Sequence, residues 1–436
     1  MTEKQRNLKW ITRGTWAIAD QGFFALANAI LNVLLARWLS PAEYGAFAVA
    51  YSLLLFLGAF HTALLTEPLL VFGPARYAKQ PRSYLHVLLR AHWALMGSGS
   101  SLIMIGGLVL YLSGRATLAH ALFGLALAAP FSLLMWFARR AAYLRFQPRL
   151  ATFASAGYLL LLLSGLSALA ALHAVSIFSA MVITGAAGAI TGLWLFRRMI
   201  HELPEEKHST LSSVVSDHWR YGRWASATSV LMWIPLNFFF VVLSLFVSFE
   251  ASATLKALSN LVLPLLQANA ALGSLLLPVM VLRAGNPERF KKLLRLALAL
   301  FAVGACIYSL VVGLVCGPLV HLLYGGRYDG HSSLVWLLLA IPLFDGAMVV
   351  LATALRSLER PDLVFWSQFA VGVFVLSAGV IATNLSGLWG AAAAIGVADL
   401  IGTIVLAAYV VAHLRPADVR QTSVCRGWLG EKVAAN

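Results

Sequence analysis

Residues 34–47 read LLARWLSPAEYGAF and join two long apolar runs through a short polar segment. Each run is long enough to cross the hydrocarbon layer of a bilayer, which takes about 20 apolar residues per helix. Ser40 suits the cap of the helix that follows, and Pro41 suits its first residue. The segment therefore predicts the outward tip of a hairpin between two transmembrane helices.

The composition of the whole chain agrees with a protein of many membrane spans. Its 436 residues are 60% hydrophobic and 11% charged, whereas about 25% of the residues of a soluble domain are charged. We expect the N-terminal apolar run to be the first span and not a cleaved signal peptide, because it contains polar residues such as Asp20. The three cysteines have no CxxC spacing, so we expect no disulfide framework, zinc site or other cofactor.

Apolar runs predict twelve spans. They cover residues 15–37, 45–71, 88–112, 117–138, 150–172, 174–196, 223–246, 253–282, 293–316, 332–355, 362–383 and 387–412. Most Lys and Arg residues, with Arg139 among them, fall in alternate segments that begin with the N-terminus. By the positive-inside rule these segments and both termini are cytoplasmic. The net charge of +15 then forms a basic collar that faces anionic lipid headgroups, and no nucleic-acid partner is expected.

The second half of the chain contains a copy of the first hairpin. Residues 43–76 align with 250–283 without a gap, and the alignment pairs Glu43 with Glu250, Ser52 with Ser259 and Arg76 with Arg283. Each half has an even number of spans and enters the membrane from the same side. This predicts parallel repeats related by an axis along the membrane normal.

The predicted fold is an all-α integral membrane protein with two six-helix bundles. We expect an N-terminal bundle at 1–200, a cytoplasmic linker at 201–219, a C-terminal bundle at 220–414 and a cytoplasmic tail at 415–436. Pro235 and Pro264 lie inside the seventh and eighth spans, where a missing backbone donor predicts a bend.

Polar residues recur on one face of the first, seventh and eighth spans at about 100° per residue. Because polar faces are costly in lipid, three such faces favour a wet cavity. Hydrogen bonds between neighbouring helices are the alternative explanation, and for His61 in the second span packing is the alternative. The candidate substrate-binding residues of this cavity are Asp20, Asn28, Asn32, His61, Arg223, Asn237, Lys256, Asn260 and Gln267.

Carboxylates inside spans are candidates for ion coupling, because an intramembrane carboxylate is costly without a function. These residues are Asp345, Asp399 and Glu67. Asp20 and Glu67 lie towards the predicted cytoplasmic interface, where solvation is an alternative explanation. Neither Asp345 nor Asp399 has an obvious basic partner in its own helix.

The segment LARWLSPAEYGAFAVAYSLL, residues 35–54, resembles the first hairpin of bacterial polysaccharide flippases of the multidrug/oligosaccharidyl-lipid/polysaccharide exporter superfamily. The later LYGGRYDG, residues 323–330, resembles an outward turn of the same group. The resemblance implies a V-shaped pair of bundles in the bacterial inner membrane and a lipid-diphosphate-linked oligosaccharide as cargo. It also implies a polysaccharide polymerase and export machinery as partners in exopolysaccharide synthesis.

Two other classes of function stay open at this point. A cation-coupled multidrug antiporter of the same superfamily has the same layout. A membrane enzyme of polysaccharide assembly is disfavoured, because the sequence has no GxxxxGK or HExxH motif and no large outward loop. If the chain is a flippase, Arg223 is expected to receive the diphosphate from the inside and Lys256 to draw it outward. Anchoring of both side chains at the interface is the alternative.

Overall fold

The computed structural model describes residues 3–74, 76–144, 147–203 and 211–414. The predicted tail and part of the predicted linker lie outside these residues. The described helices are α1 (Glu3–Trp38), α2 (Pro41–His61), α3 (Glu67–Phe72), α4 (Pro81–Leu112), α5 (Ala116–Leu144), α6 (Pro148–Ala171), α7 (Ile177–His201), α8 (Leu211–Phe246), α9 (Phe249–Ser259), α10 (Leu263–Val281), α11 (Pro287–Leu314), α12 (Cys316–Tyr324), α13 (Leu334–Leu338), α14 (Ile341–Ser357), α15 (Pro361–Phe374) and α16 (Val380–His413). Short π-helical turns occupy Thr62–Thr66 and Val375–Gly379.

In the part of the chain that the structure describes, eleven helical stretches are long and apolar enough to span a membrane, and no β-strand occurs. The last stretch, Pro361–His413, has 53 residues and contains the eleventh and twelfth predicted spans. It is interrupted at Gly387, whose φ of 56° is a backbone conformation that favours glycine. The predicted all-α integral membrane fold with twelve transmembrane helices is confirmed.

The first hairpin turn forms as its sequence predicts. The Ser40 hydroxyl accepts a hydrogen bond from the Glu43 amide, and the Glu43 carboxylate accepts one from the Ser40 amide at 3.0 Å. Pro41 is the first residue of α2, where its missing N–H leaves no bond unmade. This reciprocal cap fixes the start of α2, which continues through the π-helical turn into α3.

The eighth span differs from the prediction because it is not one continuous helix. α9 ends at Ser259 and α10 begins at Leu263, with Pro264 in its first turn. Pro235, by contrast, lies inside α8 without ending it. A projection at 100° per residue therefore does not apply across residues 260–262, and Lys256 and Gln267 belong to different helices.

The described residues group into two compact units. The first unit comes from Met1–Asn260 and Leu319–Gly330, and the second from Leu261–Pro318 and His331–Asn436. In the first unit α5 packs on α4 and α7, α1 packs on α6, and α2 packs on α8 and α9. In the second unit α14 packs on α10, α11 and α16, around a core that includes Phe290, Val350 and Leu406. The bundle boundaries expected from the sequence stay a prediction.

Candidate functional site

The carboxylate of Asp20 lies in the core of the first unit and is fully occupied by donors. Arg139 of α5 binds it through two nitrogens, with Nε 3.0 Å from Oδ1 and Nη2 2.8 Å from Oδ2. Tyr143 and Ser155 donate from 2.7 and 2.5 Å, and the Arg139 guanidinium lies over the Phe24 ring at 4.1 Å. Four donated hydrogen bonds and a cation offset the loss of solvation, so the cluster buries no net charge.

Arg139 corrects one assignment made from the sequence. The sequence predicts that it lies in a cytoplasmic loop, but it lies within α5 with only 7% of its surface exposed. The neighbouring Arg140 is exposed, as a cytoplasmic arginine would be. In the sequence both follow an apolar run, and nothing there distinguishes the arginine that turns inward.

Lys256 of α9 is a buried cation without a carboxylate. It is 6% exposed, and its Nζ lies 4.5 Å from the centre of the Tyr51 ring and 5.2 Å from that of Phe240. No Asp or Glu among the described residues forms an ion pair with it. The two aromatic faces attract the ammonium group but carry no negative charge to neutralise it.

Lys256 lies in the first unit, where α2 packs on α9. Each of these helices begins with a serine cap, Ser40 for α2 and Ser248 for α9. A Cβ on Gly45 would lie 1.9 Å from the backbone oxygen of Phe249, so only glycine allows so close an approach. The Asn260 side chain at the end of α9 donates to the Tyr44 hydroxyl at 3.3 Å. The start of α2 is thus packed directly on α9.

His61 forms a buried pair with His92 of α4, a residue that the sequence analysis did not select. His61 Nε2 is 2.9 Å from His92 Nδ1, and His92 Nε2 is 3.1 Å from the carbonyl oxygen of Pro130. Both histidines are completely buried. His92 is a titratable residue inside the predicted third span, and this signal was available in the sequence.

Asp345 and Asp399 lie in the second unit, on α14 and α16. The Asn269 amide donates to Asp345 Oδ2 at 2.8 Å and also to the carbonyl oxygen of Pro342 at 3.1 Å. The two carboxylates are close enough to interact electrostatically. Over the described ranges of the chain, no Lys or Arg forms an ion pair with either of them.

The asparagines of the predicted polar faces mostly bond to their own helices. Asn28, Asn32 and Asn237 each donate to the backbone oxygen four residues earlier, at 2.9, 2.8 and 3.3 Å. Such bonds satisfy the side-chain nitrogen of each asparagine and leave its side-chain oxygen available to a further donor. For Asn32 that oxygen is buried and has no hydrogen-bond partner in the structure.

Glu67, Arg223 and Gln267 are exposed. Tyr221 donates to Glu67 at 3.3 Å. Gln267 belongs to the second unit, whereas Arg223 belongs to the first. The structure thus brings Lys256 and Asn260 together on α9, but it does not show the predicted cavity residues as one set.

A surface cluster ties α8 to the segment between α3 and α4, at the predicted cytoplasmic end. Asp217 pairs with Arg76 and accepts a hydrogen bond from Tyr77 at 2.8 Å. The hydrogen bond from Arg76 lowers the pKa of Asp217, and that from Tyr77 acts in the same direction. One residue further, His218 lies 2.6 Å from the Tyr84 hydroxyl. Burial lowers the pKa of His218, so its neutral form is favoured.

Solved structures share this fold, although no family model and no curated protein matches the sequence. An inward-facing multidrug resistance MATE family transporter of the MOP superfamily has a TM-score of 0.73 at 13% identity, covering 93% of this chain and 99% of that chain. The lipid II flippase MurJ in an inward closed conformation has a TM-score of 0.74 at 14% identity, covering 91% and 87%. The MATE multidrug transporter DinF-BH in complex with R6G has a TM-score of 0.68 at 15% identity, covering 94% and 96%.

At these identities the similarity shows the fold alone. The chain has the fold of membrane transporters that include multidrug transporters and a lipid flippase. Because both kinds of transporter share the fold, the cargo has to be argued from the buried charges.

Proposed function

We propose that the protein is an alternating-access flippase that moves a lipid-diphosphate-linked oligosaccharide from the inner to the outer leaflet of the bacterial inner membrane. The observation that carries this proposal is the buried Lys256 of the first unit, which pairs with no carboxylate among the described residues. The cargo would serve surface polysaccharide synthesis, with a polysaccharide polymerase and export machinery as partners.

The buried charges of the first unit favour an anionic cargo. Asp20 is neutralised by Arg139, with which it forms a hydrogen-bonded pair. Lys256 has no such partner in the part of the chain that the structure describes, so a positive charge is left beside the α2–α9 contact. Burying an ammonium group without an anion is expensive. A diphosphate that reached Lys256 when α9 separates from α2 would replace the aromatic faces with a charge-assisted hydrogen bond.

Arg223 has the complementary role in this proposal. It lies on α8 and is exposed, so it can meet the diphosphate before Lys256 does. Neutral amides, such as that of Asn237 on the same helix, would hydrogen-bond the sugar or the phosphate oxygens between the two cations. The neighbour MurJ is by name a lipid II flippase, which supports a lipid-linked cargo for this fold.

A cation-coupled multidrug antiporter is the second candidate function, and the second unit favours it. Asp345 and Asp399 are carboxylates without a paired cation in the described chain, and such groups attract a proton, a metal cation or a cationic drug. DinF-BH, which shares the fold, is by name a multidrug transporter and was solved with R6G. The two functions therefore differ in which unit's charge the cargo meets.

Replacing Lys256 with methionine separates these functions. Methionine has a similar volume and removes a buried charge, so Lys256→Met should fold at least as well as the parent protein. A lost charge-assisted hydrogen bond of about 1.5–3 kcal/mol would slow oligosaccharide transport about 10- to 100-fold. The assay follows a fluorescent undecaprenyl-diphosphate-linked oligosaccharide in proteoliposomes, with rhodamine 6G efflux measured in parallel.

Two further variants serve as controls. Lys256→Arg keeps the charge and should retain part of the oligosaccharide transport, and Lys292→Met removes an exposed lysine and should change nothing. Oligosaccharide transport that is unchanged in Lys256→Met would remove Lys256 from the proposed site. Rhodamine 6G efflux by the wild type without oligosaccharide transport would reject the flippase in favour of the antiporter.

A further inference from the structure

The His61–His92 pair has a fixed hydrogen-bond direction. A carbonyl oxygen only accepts hydrogen bonds, so His92 Nε2 must carry the hydrogen that bonds to Pro130. In the neutral ring the other nitrogen of His92, Nδ1, is then an acceptor. The hydrogen between the rings must therefore belong to His61 Nε2, which leaves His61 Nδ1 as a bare lone pair.

His61 Nδ1 is buried and has no hydrogen-bond partner among the described residues. A buried acceptor without a donor costs about 1–3 kcal/mol, and packing alone would be better served by an apolar side chain. His61 Nδ1 is therefore a basic nitrogen with a free lone pair, at the end of a hydrogen-bonded chain whose direction is fixed. Such a nitrogen can bind one proton.

The surroundings allow the pair to carry the resulting charge. Phe137 of α5 lies 6.2 Å from both imidazole rings, and its ring is parallel to that of His92 within 12°. Trp93 contacts His92 edge to face at 5.1 Å. With His61 as imidazolium, its bond to His92 becomes charge-assisted and about twice as strong.

The charged and titratable groups near the pair are already engaged or exposed. On α5, Arg139 is bound to Asp20. On α8, His218 lies 2.9 Å from the backbone oxygen of Leu64, one turn beyond His61. Arg90 on α4 and Glu67 on α3 are exposed. Within the described chain none of these groups bonds to either histidine ring, so an added proton would stay on the pair.

The π-helical turn after His61 is a place where the access of water to the histidine pair can change. The π-helical turn Thr62–Thr66 begins at the next residue, and such turns inside α-helices are frequent at functional sites. α8 packs on this turn: a Cβ on Gly222 would lie 2.8 Å from the backbone oxygen of Ala63. A movement of α8 away from the turn would expose the backbone next to His61 to water.

We propose that the His61–His92 pair is a proton-binding site of the transport cycle. Nδ1 of His61 takes one proton from water to form the imidazolium, while Nε2–H continues to donate to His92. When the site next meets water, the same N–H bond breaks and the proton returns to it. The proposal rests on the protein being a transporter, but it does not depend on which cargo is carried.

Proton binding is measured directly by ¹⁵N NMR on protein with ¹⁵N-labelled histidine in liposomes, titrated from pH 8 to pH 5. The wild type should show both buried rings as Nε2–H tautomers at pH 8 and gain one buried imidazolium on acidification. In His61→Gln the signal should be missing, because glutamine keeps an N–H donor for His92 but has no basic nitrogen. The control His201→Gln removes an exposed histidine and should leave that signal in place.

The same variants are tested in proteoliposomes with an imposed pH gradient. Transport by the wild type should accelerate severalfold with the gradient, for the labelled oligosaccharide or for rhodamine 6G, whichever moves. His61→Gln should lose this acceleration and His201→Gln should keep it. A pair that stays neutral down to pH 5, or an imidazolium signal that survives in His61→Gln, overturns the proposal whichever cargo moves. A proton site with rhodamine 6G as the cargo would instead reject only the proposed flippase function.

Discussion

Asp20 on α1 and Asp399 on α16 are both aspartates inside transmembrane helices, yet the two units surround them differently. Asp20 accepts hydrogen bonds from Arg139, Tyr143 and Ser155. Asp399 has no cationic partner in the described chain and instead lies near a second carboxylate, Asp345. A neutralised carboxylate holds helices together. A carboxylate without a counter-charge is available to a mobile cation.

Two buried cations of the first unit, Arg139 and Lys256, are expected to have different roles. Arg139 is matched by Asp20 and is expected to act in stability alone. Among the described residues Lys256 contacts aromatic rings but no carboxylate, and we expect it to act in transport at some expense of stability. Within the described chain, Lys256 in the first unit and Asp399 in the second are therefore charges of opposite sign without a partner.

The largest effect on stability is expected when Arg139 is removed from its buried pair with Asp20. Arg139→Met leaves Asp20 buried without a cation and should destabilise the protein by about 3–5 kcal/mol, seen as a lower melting temperature in detergent. The double variant Asp20→Asn/Arg139→Met buries no charge and should recover much of this loss. Arg140→Met, one residue away and exposed, should melt like the wild type. Equal losses in the single and double variants would show that the pair is not held by charge.

A smaller effect, of opposite sign, is expected in the second unit. Asp399 is half-buried and has no cationic partner in the described chain, so the melting temperature of Asp399→Asn should stay equal to or rise above that of the wild type. Asp20→Asn weakens a satisfied network and should lower the melting temperature by an amount that corresponds to about 1–3 kcal/mol. The contrast between the units fails if both variants destabilise the protein equally.

The ion-coupling assignment is read out in the same second-unit variants. Asp345→Asn and Asp399→Asn should each change the pH dependence of transport in proteoliposomes. Full transport with unchanged pH dependence in both variants would remove these aspartates from the coupling mechanism.

The smallest effect is expected for the surface pair of Asp217 and Arg76, because solvent screens exposed charges. The pKa of Asp217 is lowered in the folded protein by the hydrogen bond from Arg76. Its contribution to stability is therefore complete above its unfolded pKa and is lost as the pH falls through the folded value. In Asp217→Asn the melting temperature should fall less steeply than in the wild type as the pH is lowered through that range. At pH 7 the melting temperature should change little. An unchanged acid profile would mean that the pair contributes no stability.

Features that depend only on residues close together in the sequence were predicted correctly. The serine cap and Pro41 of the first hairpin formed as expected, because both act within one helical turn. The helical projection failed for the eighth span, where Lys256 and Gln267 were assigned to one face. It assumes an unbroken helix, and the chain breaks at residues 260–262 just before Pro264.

Apolar length and turn residues are local properties that the bilayer selects, so the sequence alone predicted an all-helical membrane protein with twelve spans. Which buried charges are neutralised became visible only in the packed helices. Asp20 and Arg139 are 119 residues apart, and His61 reaches His92 on another helix. The periodicity of one helix gives the direction of a side chain but not what it meets, and pairing depends on which helices pack together.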